Sequence, residues 1–304
     1  MLIMRVITTP HASEQAVLAA LRAAFTDLAS GDPALPGQFA VDLPGGDVLH
    51  YPAVLPAADV YAVKVSPYLP QAAGPAVVTA WTLLISLSTG QPVALLDAAH
   101  LTVERTAATT ALAADALLPP DARTAAVVGY GRVGRAHARY LRQVRPGMDV
   151  RAFSPSGIGG AGDGVRAVST LDEATAGADL VMLCTSAAAD VLDPRHLPPG
   201  AVVTSISTNA PGAREIPPAA VPELDVYVDA RTSLTVAAEL VQAAAAGWDP
   251  ATVRGDLAGL VAGTAPRPGG QRPVYFRSVG LGIEDAAVAL AAYAYETATI
   301  EGQA

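Results

Sequence analysis

The 304-residue sequence predicts a two-part α/β protein, with a strand-rich α+β part followed by a doubly wound parallel part. Three observations predict it. Short extended runs separated by turn residues fill 38–97, apolar strands alternate with helical segments from 124 onward, and Pro119-Pro120-Asp121 punctuates the change of pattern.

Met1-Leu2-Ile3-Met4-Arg5 lacks the apolar core and cleavage site of a signal peptide and reads as a first strand. Residues 12–30 open at Ser13, carry Glu14 in the first turn and space Val17, Leu18, Leu21, Ala24, Phe25 and Leu28 as one helical face. Gly31-Asp32-Pro33 stops this helix. Extended runs at 38–43 and 48–51 flank the hairpin turn Pro44-Gly45-Gly46-Asp47. Strands at 60–65, 77–88 and 92–97, the last two joined through Thr89-Gly90-Gln91, complete a mostly antiparallel sheet. Residues 101–117 turn helical. Past the prolines, strands are expected at 124–128, 149–153, 179–184, 201–206 and 225–228. Residues 263–273, rich in Gly, Pro and Arg, read as a surface loop, and 283–300 as an Ala-rich helix apolar on more than one face. The domains are therefore placed at 1–118 with 277–304, and at 119–276.

Composition excludes several classes of function. The net charge is −9 without a basic cluster, which argues against a nucleic-acid surface. No window approaches the roughly 18 apolar residues of a membrane span. The single cysteine, Cys184, excludes an intramolecular disulfide and any multi-cysteine metal site; it lies in an apolar run, reads as a core residue and suits a cytoplasmic setting. His11, His50, His100, His137 and His196 are scattered without metal-ligand spacing, so no metal is expected; His137 reads as structural or exposed.

The strongest local signal is Gly129-Tyr130-Gly131-Arg132-Val133-Gly134, which follows a buried β run and opens a helix. In that setting Gly129 allows a tight turn, Gly131 lets backbone approach a pyrophosphate, and Gly134 lets helix and strand pack closely. Helix amides supply the anion site. The second part is thus predicted to be a Rossmann dinucleotide-binding domain, with Arg132, Val133 and Thr185 completing the candidate cofactor set. The second strand ends at Ser154-Pro155-Ser156, where an NAD site usually carries Asp or Glu for the ribose hydroxyls. Ser154 and Ser156, with Arg132 and Arg151 near, favour NADP, with NAD as the alternative; the serines also suit a plain turn.

Lys64 sits inside the apolar run Tyr61-Ala62-Val63-Lys64-Val65, and Arg105 near the start of an Ala-rich helix. Buried cations demand compensating anions, and two of them beside a cleft suit capture of a substrate carboxylate. The plainer readings are an exposed edge strand for Lys64 and a salt bridge to Glu104 or Asp97 for Arg105. Asp229 ends the strand Asp225-Val226-Tyr227-Val228, where carboxyl ends of parallel strands face a ligand crevice, so acid–base work is one reading and a helix cap or salt bridge the other.

In order along the chain, the Lys64 strand with Thr79, Thr89-Gly90-Gln91-Pro92, Leu101-Thr102-Val103-Glu104-Arg105-Thr106-Ala107-Ala108, the glycine turn, Arg214-Glu215-Ile216-Pro217, Asp229, and Ser278-Val279-Gly280 with Asp285 resemble the ornithine cyclodeaminase/μ-crystallin family over nearly the whole length. The resemblance implies a homodimer in which a smaller α+β substrate/dimerisation domain accompanies the Rossmann domain. It implies that Lys64 and Arg105 hold a substrate carboxylate, that Asp229 is the catalytic acid/base with Lys64 beside it, and that Thr79, Arg105, Ser278 and Val279 line the cofactor or substrate site. Gln38 stands where many members have Arg, which bears on substrate identity. The expected activity is NAD(P)H-dependent reduction of a cyclic imino acid such as Δ1-pyrroline-2-carboxylate, as in proline metabolism. Ornithine cyclodeamination, alanine dehydrogenase-type chemistry and ligand binding without catalysis are the alternatives.

Overall fold

A computed structural model of the chain describes residues 4–31, 35–71, 76–159, 162, 164–207 and 212–301. Met1-Leu2-Ile3 of the expected first strand and Asp32-Pro33 of the expected helix stop lie outside the described residues. The chain forms two compact units, Met1–Thr106 with Leu281–Ala304, and Ala107–Gly280, the division falling inside one helix.

The first unit opens with β1 (Arg5–Ile7) and α1 (Glu14–Ala29), capped by Ser13, whose hydroxyl accepts the Ala16 amide at 3.2 Å. Strands β2 (Phe39–Leu43), β3 (Gly46–Leu55), β4 (Val60–Leu69), β5 (Val77–Val78), β6 (Trp81–Ser86) and β7 (Pro92–Asp97) follow, then α2 (Ala99–Leu117). The sheet runs β1-β7-β6-β4-β3-β2, with β5 on the end of β4; every described pair is antiparallel except β1 with β7. The continuous strand expected at 77–88 is broken at Thr79-Ala80. Proline 67 of β4 has no amide to donate there, and Pro67 only accepts from the Thr79 amide at 3.4 Å. Register places Tyr51, Lys64, Thr82 and Leu96 side by side across β3, β4, β6 and β7.

The second unit continues with β8 (Thr124–Val128), α3 (Arg132–Val144), β9 (Asp149–Phe153), β10 (Val165–Ala167), α4 (Leu171–Thr175), β11 (Leu180–Leu183), β12 (Val202–Ser205), β13 (Asp225–Val228), α5 (Ala238–Ala245), β14 (Gly255–Asp256), α6 (Leu257–Ala262) and β15 (Val274–Arg277). All eight strands are parallel, in the order β10-β9-β8-β11-β12-β15-β13-β14. This is the expected Rossmann architecture. Val128, Val181, Val203, Val226 and Tyr275 meet in its core, the continuous apolar composition that parallel strands covered on both faces require. The sequence reading missed β15, a central strand, because Arg277 ends an otherwise short apolar run.

The chain then re-enters the first unit as α7 (Gly282–Glu301), which packs on β3, β4, β6 and α1. Burial on more than one face explains its Ala-rich, weakly amphipathic composition. Among the described residues no helix is long and apolar enough to cross a membrane.

Candidate active site

The glycine turn of the second unit is built as its sequence demands. Gly129 adopts φ +88°, closed to L side chains, and a Cβ there would lie 2.5 Å from the Cys184 carbonyl oxygen. A Cβ on Gly134 would run into the carbonyl oxygen of Gly129, so only glycine lets α3 pack against this turn. Gly131 differs: a Cβ on it would meet nothing, and it opens on a cavity of about 790 Å³. Gly131 is also the N-cap of α3 and supplies no side-chain cap, so the first amides of α3 are left to an outside acceptor. Arg132, Val133, Ser154, Ser156 and Thr185 line the same cavity. A cradle that a Cβ would fill, beside uncapped helix amides and a cavity of dinucleotide size, fits a pyrophosphate-bearing cofactor.

At the far wall of that cavity Ser154 and Ser156 place their hydroxyl oxygens 3.1 Å apart. Arg151, expected near them, is turned away. It donates to the Ala176 carbonyl at 2.6 Å and lies 3.6 Å from Asp149. Arg135 ties the following loop down by donating to the carbonyls of Ile158 and Gly159 at 2.9 and 3.1 Å. His137 is fully buried on α3 with Nδ1 2.8 Å from the Val133 carbonyl, and burial pushes its imidazole down to about 4. Cys184 is buried, and burial raises its thiol well above the ordinary range.

A buried carboxylate holds the cavity's inner rim. Glu215 accepts the Thr185 amide and hydroxyl on Oε1 at 2.8 and 2.7 Å, and the Ser205 hydroxyl and Ile206 amide on Oε2 at 2.7 and 3.2 Å. Its carbonyl accepts from Val191 and Leu192. Three cavity-lining residues, Thr185, Val191 and Ile206, therefore hang on one residue, the first and last on its side chain and Val191 on its carbonyl.

Asp229 follows β13 and is fully buried. Oδ1 accepts the Ala230 amide at 2.9 Å and the Ser233 hydroxyl; Oδ2 accepts the Ser278 hydroxyl at 3.1 Å and the amides of Val279 and Gly280 at 2.7 and 2.9 Å. Neither plain reading, helix cap or salt bridge, describes it: the carboxylate pins the segment after β15 to the segment after β13. Ser278 and Val279, expected to line the site, meet Asp229 in this way. Nearby, Arg277 donates from Nε to Glu239 Oε1 at 2.9 Å, and the Tyr275 hydroxyl donates to the same oxygen at 2.9 Å.

In the first unit Lys64 and Arg105 come together. Lys64 is 2% exposed on interior strand β4, which removes the edge-strand reading. Its Nζ donates to Asp285 Oδ1 at 3.0 Å, lies 2.9 Å from Oδ2, and sits 4.1 Å from the centre of the Tyr51 ring. Arg105 donates from Nε to Asp285 at 3.1 Å and from Nη1 to Glu284 at 2.9 Å. Its expected partners are occupied elsewhere. Glu104 faces His100 at 3.7 Å, and Asp97 accepts the Ala99 amide at 2.9 Å. The anions that compensate the buried cations are thus protein carboxylates from the first turn of α7. Burial pulls Lys64 down to about 8 against the opposing pull of Asp285. Burial also works against the Arg105 charge, but Asp285 and then Glu284 outweigh it and raise Arg105 above its ordinary value. Thr79 is exposed between β5 and β6, its carbonyl accepting from Ser66 at 3.2 Å, and Gln38 is half-buried just before β2.

Sequence alone assigns no role to Glu215, Glu239, Arg277, Glu284 or Asp285. The available signal was a carboxylate or guanidinium inside an otherwise apolar segment, the same signal that singled out Lys64. Among the described residues no cluster of His, Cys, Asp or Glu could hold a metal.

Residues 1–301 match the ornithine cyclodeaminase/mu-crystallin family. The chain is 46% identical, over 91% of both sequences, to the NAD(P)H-dependent anabolic L-arginine dehydrogenase DauB of Pseudomonas aeruginosa. It superposes on Δ1-pyrroline-2-carboxylate reductase of Thermococcus litoralis, solved with NADH and L-proline, with a TM-score of 0.85 at 25% identity over 98% of both chains. A probable ornithine cyclodeaminase from Bordetella pertussis gives a TM-score of 0.83 at 29% identity over 96% of both. The glycine cradle, the paired buried cations and the Asp229 staple occur in a chain that belongs to the ornithine cyclodeaminase/mu-crystallin family.

Proposed function

We propose that the protein is an NAD(P)H-dependent oxidoreductase that reduces a C=N bond next to a carboxylate and so forms an amino acid. The observation that carries this reading is the cradle at Gly129, Gly131 and Gly134, open at Gly131 beside uncapped helix amides. Substrate choice is supported by the arginine dehydrogenase relative, and favours the open-chain imine of a basic 2-oxo acid, with arginine as product. The cyclic imine Δ1-pyrroline-2-carboxylate is a second reading, supported by the Thermococcus enzyme.

When bound, the nicotinamide cofactor would supply a hydride to the imine carbon. Arg132 and the amides at Val133 would hold the pyrophosphate, and Thr185 would sit along the inner wall. Ser154 and Ser156, with no carboxylate to repel a 2′-phosphate, favour NADP over NAD. Arg105 is suited to grip the substrate carboxylate through its planar guanidinium. Lys64, whose proton is loosened by burial to about 8, is suited to hold or give the proton that the substrate nitrogen takes up. Asp229 then serves by fixing Ser278 and Val279 and by its negative charge. A homodimer through the first unit is part of the same reading, supported by the exposed apolar side chains Phe39, Val41 and Leu43 of edge strand β2.

The test is NADPH and NADH oxidation with the 2-oxo acid of arginine plus ammonium, and separately with Δ1-pyrroline-2-carboxylate. Turnover with either supports imine reduction and ranks the two substrates. Tight NADPH binding without turnover on both overturns it in favour of a binding protein.

A further inference from the structure

Lysine 64 is the only lysine in the sequence; the other 18 basic residues of the 19 are arginine. Arginine keeps its charge at every working pH, whereas a buried lysine can lose it. A chain that uses arginine everywhere else retains its one side-chain amine at a deeply buried position, 2% exposed.

Four elements of its own unit supply neighbours to that amine. From β3 comes the Tyr51 ring at 4.1 Å. From β6 comes Thr82, directly opposite in register, with a buried hydroxyl that has no hydrogen-bond partner. From α2 comes Arg105, with Glu104 beside it in the chain facing His100. From α7 come Glu284, paired to Arg105 at 2.9 Å, and Asp285. Among the described residues Asp285 is the one carboxylate that touches both cations, at 2.9 Å to Lys64 and 3.1 Å to Arg105.

Resting on the reading of Lys64 as a site residue, we propose that Asp285 is the positioning residue that keeps the Lys64 ammonium charged and aimed, with Glu284 holding Arg105 so that Asp285 stays with the lysine. Burial and the Arg105 charge both push the proton off Lys64, and Asp285 opposes them first by its charge and then by its hydrogen bond. Without that carboxylate the amine would face Arg105 as a neutral group. A substrate carboxylate would then meet one cation instead of two, and the substrate nitrogen would lose its proton source.

Being the sole lysine makes Lys64 directly observable. Protein labelled with lysine carrying 15N at Nζ should give one ammonium resonance, protected from exchange with water at neutral pH, whose titration midpoint matches the basic limb of kcat/KM. In D285N both midpoints should move down by about 1–3 pH units, the effect of an opposite charge at this range. The removed anion should leave KM equal or lower below the limb while kcat falls. D285E should return both midpoints towards wild type. Midpoints unmoved in D285N, with K64M inactive, overturn the role of Asp285 alone. Full turnover in K64M overturns the reading of Lys64 and the inference with it. Should D285N not fold, rapid exchange of the wild-type ammonium protons with water overturns the proposal by itself.

Discussion

The Oε1 atom of Glu215 accepts both the amide and the hydroxyl of Thr185, at 2.8 and 2.7 Å, while Oε2 does the same service for Ser205 and Ile206. Four donors from the ends of two parallel strands converge on one buried side chain. A glutamine has one acceptor oxygen and would turn its amide hydrogens against two of those donors. Glu215→Gln is therefore expected to destabilise the protein by about 3 kcal/mol, as buried hydrogen bonds to a charged group are lost. Urea unfolding checks the stability, and NADPH fluorescence titration checks a weakened cofactor site.

The glycines of the turn are expected to separate by role. Gly131→Ala meets open space, so its melting temperature should stay near wild type while NADPH affinity falls about ten-fold, a loss of about 1.4 kcal/mol at the pyrophosphate. Gly134→Ala drives a methyl group into the Gly129 carbonyl and should cost about 1–3 kcal/mol of stability as well. Equal stability losses in the two variants would contradict this division.

Asp229→Ala leaves three backbone amides and two hydroxyls without their acceptor. Turnover is expected to drop by at least about 100-fold, the scale of a lost acid–base or electrostatic group. If Asp229 works by its charge and by fixing Ser278 and Val279, the shape of the pH–rate profile persists in the residual activity. A profile that loses its acidic limb would instead identify Asp229 as the titrating group.

His137 gives a stability prediction whose sign can be worked out. Its folded-state value is about 4, against 6.5 for an exposed imidazole. Between those values the unfolded chain binds a proton that the folded chain does not, so stability falls as the pH drops from 6.5 towards 4. The full effect is about 3 kcal/mol at about 1.4 kcal/mol per unit. Unfolding free energies of wild type and His137→Asn, measured across that window, should diverge by this amount between its ends; parallel slopes would remove His137 as the cause.

The sequence made the Rossmann unit legible because its signals are local. The Gly129 turn, the strand at 124–128 and the helix behind it lie within one short stretch, and a backbone that tolerates only glycine leaves a mark any reader can find. Lys64 and Arg105 were legible as anomalies, charges in apolar company. Their partners were not, because Asp285 lies 221 residues from Lys64 and pairing at that distance leaves no periodicity. Strand β15 was hidden for a related reason. Its charged end, Arg277, is satisfied by Glu239 on α5, so a residue that argues for a surface loop in sequence sits at the centre of a sheet in space. The break at Thr79 was readable in principle from Pro67, but only once β4 was known to pass beside it.

Strand β15 lies between β12 and β13, yet it is the last strand of its sheet to leave the ribosome. Until residues 274–277 emerge, the two halves of the sheet have no hydrogen-bonded neighbour at the seam, and α7 has still to follow before the first unit has its covering helix. Both units therefore depend on the segment from 274 onward to complete their packing, so long-range pairing, the slow kind to form, closes the sheet and the first unit alike.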